Sequence, residues 1–92
     1  RLTLGEADAV WRTPSVRHSL SYSEVRGWGK VRYRNFHFIF ITRLEGNPFQ
    51  EQNVGSTADT FVLQFRPAAW NIIQGRMSKA HPGLVPMELV KQ

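Results

Sequence analysis

Two kinds of side chain crowd residues 26–43, and neither is suited to making or breaking covalent bonds. Arg26, Lys30, Arg32, Arg34 and Arg43 carry five of the chain's twelve Lys and Arg charges, and Trp28, Phe36, Phe38 and Phe40 add flat rings among them. Guanidinium forks hold phosphate bidentately, and an aromatic ring stacked on a base is worth about 1 to 3 kcal/mol. The chemistry on offer is recognition of a polyanion that also presents flat groups, so the expected partner is nucleic acid, with single-stranded DNA or RNA favoured. If residues 28–44 run as one strand, Lys30, Arg32, Arg34, Phe36, Phe38 and Phe40 share one side and Val31, Tyr33, Ile39 and Ile41 share the other. If the chain instead turns at Arg34-Asn35, where Asn tolerates the left-handed backbone, Phe36 to Ile41 is a short strand buried on both faces. Both arrangements are open at this stage, and the candidate nucleic-acid-binding set is Arg26, Trp28, Lys30, Arg32, Arg34, Phe36, Phe38, Phe40 and Arg43.

The elements that must position these residues follow from period and punctuation. Thr3 with Glu6 fits a capping box, and Leu4, Ala7, Val10 and Trp11 fall on one helical face, so a short helix over 3–12 is expected, ended by Pro14. Val16, His18, Leu20 and Tyr22 alternate with serines as a half-buried strand does. Gly27-Trp28-Gly29 then reads as a hairpin turn, pairing 15–26 with 30–44 and placing Trp28 at the tip. Residues 45–59 form a long polar loop, and Thr60 to Phe65 a strand. Pro67 suits a helix start and Ala69, Trp70, Ile73 and Met77 form its apolar stripe, with His81-Pro82-Gly83 as the stop. Residues 84–92 are too short to fold alone and are expected to dock as a tail. The fold class is α+β: an antiparallel sheet of three to five strands with one main helix, 67–79, packed on one face, in a single domain spanning 1–92.

The segment Phe61-Val-Leu-Gln-Phe-Arg-Pro-Ala-Ala-Trp-Asn-Ile-Ile73 is a strand running into Pro-x-x-Trp-x-x-Ile at the head of a helix. Over residues 61–78 it resembles the junction in the single-stranded-DNA-binding fold of positive cofactor four and the Whirly proteins. The resemblance implies a curved antiparallel sheet whose basic and aromatic residues face DNA, and a helix that makes a dimer.

Composition bounds the alternatives. Residues 12–43 hold seven basic residues against Glu24 alone, so the net charge of +5 sits on the aromatic segment; nine of the twelve basic residues are Arg. With no Cys there is no thiol nucleophile, disulfide or Cys-based zinc site, and His18, His37 and His81 lack ligand spacing. No catalytic set, metal or cofactor is expected. The enzymatic alternative is a small toxin-type ribonuclease using Arg32, Tyr33, Arg34 and His37; the non-enzymatic one is a protein-interaction module or structural subunit of a larger assembly. No apolar run approaches the roughly 20 residues that span a bilayer, so no membrane partner is expected and the default location is intracellular and soluble, cytoplasmic. A domain of 92 residues has a small core, which makes a homo-oligomer plausible.

Overall fold

Residues 28–44 fold as two strands, and the turn at Arg34-Asn35 is what divides them. The computed structural model describes residues 2–5, 8–12, 17–50, 54–57 and 59–91. Within these, β1 (Leu2–Leu4), β2 (Asp8–Arg12) and β3 (Arg17–Ser21) form a small antiparallel sheet in that order. After a 3-10 turn at Tyr22–Glu24 come β4 (Gly27–Tyr33), β5 (Phe36–Thr42) and β6 (Thr60–Gln64). A 3-10 turn at Pro67–Ala69 leads into α1 (Trp70–Ala80), and β7 (Met87–Lys91) closes the chain. The larger sheet has the order β6-β5-β4-β7, antiparallel except for the β4–β7 pair, which is parallel. The chain is therefore α+β, with the expected helix packed on one face of a four-stranded sheet.

Three expectations are corrected. The N-terminal helix is absent: the Gly5 amide donates to the Asp8 carbonyl at 2.9 Å, and Leu4 pairs with Ala9, so the segment is a hairpin. A lone helix of ten residues is marginal in water, whereas the strands gain a third partner in β3, and that tertiary pairing overrides the capping signal. Gly27-Trp28-Gly29 is not a turn but the start of β4, and β3 pairs with β2 instead of with residues 30–44. The tail does not merely dock; its residues 87–91 become a strand beside β4. Pro14, Val16 and part of the 45–59 loop lie outside the described residues.

Glycine explains how β7 gets there. Gly29 pairs with Met87, and a Cβ on Gly29 would overlap the Met87 backbone, so the two main chains approach as only glycine allows.

The larger sheet is apolar on both faces, and each face has its own cover. On the first, Trp28, Ile41 and Phe61 lie side by side across three strands and pack under Met77 of α1 and under Ala9, Leu20, Tyr22 and Val25. On the second, Val31 and Phe40 are capped by Phe49 from the loop, its ring edge-on to Phe40 with centroids 5.3 Å apart. The Phe49 amide donates to Asn47 Oδ1 at 2.8 Å, an Asx turn that aims the ring inward, and Lys91 Nζ donates to the Phe49 carbonyl. Thr42 and Thr60 share a buried hydroxyl hydrogen bond of 2.7 Å between β5 and β6. Ser56 Oγ accepts from the Val62 amide at 2.9 Å and pairs with its carbonyl at 3.1 Å, so the loop itself occupies part of β6's outer edge.

Candidate nucleic-acid interface

The register of the β4–β5 hairpin decides which candidate residues meet. Tyr33 pairs with Phe36, Arg32 with His37, Val31 with Phe38 and Gly29 with Phe40. Because the turn has two residues, odd positions of β4 share a face with even positions of β5. Lys30 and Arg32 thus lie on the α1 face with His37, Ile39 and Ile41, while Phe36, Phe38 and Phe40 lie on the opposite face with Val31 and Tyr33. The single basic and aromatic face expected of a continuous strand does not form. The positive φ falls on Arg34, at 56°, a left-handed conformation that costs a branched or long side chain more than it costs glycine.

The nine candidates separate into three groups. Trp28, expected at an exposed tip, and Phe40 are both 0% exposed and belong to the core, where they cannot stack on a base. The Trp28 ring lies 5.8 Å from that of Trp70, and its indole N–H has no protein partner among the described residues. Arg26 and Arg43 sit at the Thr42 end of the sheet: the Arg26 amide donates to Thr42, and Arg43 reaches Glu24 at 3.4 Å and Asp59 at 3.5 Å. Its charge is locally compensated. Of the remaining five, Arg32, Arg34, Phe36 and Phe38 lie toward the free end of the hairpin, about 20 Å away along seven residues of strand, and Lys30 lies midway along β4.

At that end the second face is aromatic. Phe36 is 51% exposed, its ring 6.5 Å from that of the half-buried Phe38, and the Arg34 guanidinium stands 5.3 Å from the centroid of Tyr33. The first face is cationic. Arg32 is exposed and, among the described residues, forms no ion pair, whereas Lys30 Nζ bonds Glu88 at 3.4 Å and lies 4.8 Å from the Trp70 ring centroid. The four residues of the ribonuclease alternative are split likewise: Arg32 faces His37 across the strands, but Tyr33 lies on the other side. Phe65, Arg66 and Trp70 were not among the candidates, and Tyr33 was one only for the ribonuclease alternative, although Phe65-Arg66 at the end of a strand was a readable basic and aromatic pair. Among the described residues no group of three or more His, Asp or Glu is placed to hold a metal ion. No protein family, curated protein or solved structure matches the chain. Among the described residues no helix is long and apolar enough to cross a membrane.

Proposed function

We propose that this chain is a non-enzymatic nucleic-acid-binding domain, favouring single-stranded DNA or RNA, that works through the free end of the β4–β5 hairpin. The observation that carries this reading is the exposed Phe36 ring, set against Phe38, with the Arg34 guanidinium over the ring of its cross-strand partner Tyr33 and no carboxylate paired with Arg34 among the described residues. An exposed ring close to a guanidinium with no carboxylate partner offers what a base and its phosphate require. The resemblance of residues 61–78 to a single-stranded-DNA-binding fold points the same way.

Titrating a fluorescent oligonucleotide from low to physiological salt tests the reading. Binding should fall linearly on a log–log plot as counterions are released, and Arg34→Ala should flatten that slope by about one unit. Phe36→Ala should weaken binding by at least about fivefold, as expected for one lost stacking contact, with the fold unchanged. An absence of binding even at low salt would overturn the proposal in favour of a protein-interaction or structural subunit. Val90, 64% exposed on the edge strand β7, is the observation that favours that second reading, and a homo-oligomer is its simplest form.

A further inference from the structure

A second aromatic row lies on the face of the hairpin opposite Phe36. The rings of His37 and Phe65 meet edge-on with centroids 6.3 Å apart, and Phe65 and Trp70 lie 5.8 Å apart; all three are half-buried. Arg32 stands directly across from His37, and Arg66 follows Phe65; both are exposed. Packing accounts for Trp70, which covers Trp28. It does not account for the exposed Arg32 in register with His37, or for the exposed Arg66 next in the chain after Phe65; neither forms an ion pair among the described residues. Exposed guanidinium groups without a carboxylate partner are available to an anion.

We infer that this row is a second nucleotide subsite, occupied by the same strand that stacks on Phe36 and Phe38. The inference rests on the proposed function and deepens it. A sheet is about 10 Å through its side chains, and the hairpin end is open, so a single strand can pass from one face to the other around Arg34. Its phosphates then meet Arg34 at the turn and Arg32 and Arg66 beyond it, with a base against His37 and Phe65. The ligand class follows from this path: a flexible single strand of on the order of 4 to 8 nucleotides. A duplex, stiff over about 150 base pairs and with its bases already stacked, cannot follow it.

Fluorescence anisotropy with thymidine oligonucleotides of increasing length is the test, on the full chain and on three variants. These are Phe36→Ala, the double variant Arg32→Gln with Arg66→Gln, and a charge control, Arg76→Gln with Lys79→Gln, which removes two exposed charges from α1 instead. Dinucleotides should lose affinity with Phe36→Ala and be little changed by Arg32→Gln with Arg66→Gln. From about six nucleotides affinity should rise, and it should then fall by about tenfold or more in the Arg32 and Arg66 variant but not in the charge control. If long strands are indifferent to Arg32 and Arg66 while Phe36→Ala still weakens them, the second subsite is refuted and the proposed function stands. An equal loss in the charge control reduces the effect to general electrostatics and also refutes the subsite. If no oligonucleotide binds the parent chain, both readings fall together.

Discussion

Phe36 and Phe40 lie on the same face of the same strand, yet one is a surface ring and the other is core, because Phe49 covers only the Phe40 end. Truncation should separate them: Phe40→Ala should cost about 3 to 5 kcal/mol, enough to unfold much of so small a domain, and Phe36→Ala under about 1 kcal/mol. Thermal melts of the two variants check this, and similar melting points would refute the assignment of faces. Arg34 adds a second contrast at this scale. Its φ of 56° is strained for a side chain with a Cβ, so Arg34→Gly should raise stability by about 1 kcal/mol while removing a charge from the turn. A urea midpoint that rises in the variant whose oligonucleotide affinity falls would show stability and binding pulling in opposite directions at one residue.

Among the elements, β7 depends on a single glycine more than on any side chain of its own. A Cβ at Gly29 would strike the backbone N, C and O of Met87, which cannot swing aside, whereas one at Gly27 would overlap the flexible Met87 Cε at 2.6 Å and meet Thr42 Cγ2 at an ordinary 3.5 Å. Gly29→Ala should therefore cost about 1 to 3 kcal/mol and strip amide-exchange protection from 87–91 first, with Gly27→Ala far milder. Equal protection in the two variants would contradict this arrangement. The same element marks the limit of what was legible. β6 and α1 follow from β-branched content, a helical stripe and Pro67, all of which are local signals. β7 carries a period of two, with Glu88 and Val90 exposed between half-buried Met87, Leu89 and Lys91, but five residues of alternation do not name a partner as far back in the chain as Gly29 is from Met87. The N-terminal hairpin was hidden because Leu4, Val10 and Trp11 satisfy a helical spacing as readily as an extended one, and only pairing with β3 separates the two. The site was half legible for a related reason. Its residue types are plain in the sequence, but their division between faces depends on the parity of one turn, and a two-residue loop there exchanges the partners of every ring.

For the whole molecule, alkaline pH probes the contact between its two sheets. Burial, and after it the charge of Asp8, raises the Tyr22 phenol above its usual 10.0, and its hydroxyl donates to the Gly5 carbonyl at 3.0 Å. A raised acid pKa means that the folded chain holds the proton more tightly than the unfolded one. The stabilisation is complete below about pH 10 and is lost as pH rises from there through the folded value. Tyr22→Phe should cost about 1 kcal/mol at neutral pH, and the parent's margin over it should shrink as pH rises above about 10; a margin constant across urea titrations would contradict the assignment. The sheet edges are where another copy of the chain could pair. Ser56 shields β6 by bonding both main-chain groups of Val62, while β7, at the far side of the same sheet, is the other edge strand and ends in charged Lys91. The two edges differ in sequence and direction of pairing, so joining one molecule's β7 to another's β6 has no two-fold axis and does not close into a dimer. Each added copy leaves one edge of each kind free for the next. If the Ser56 hydroxyl guards that edge, its loss in Ser56→Ala should show as slow, seedable light scattering in a chain whose melting point has scarcely changed.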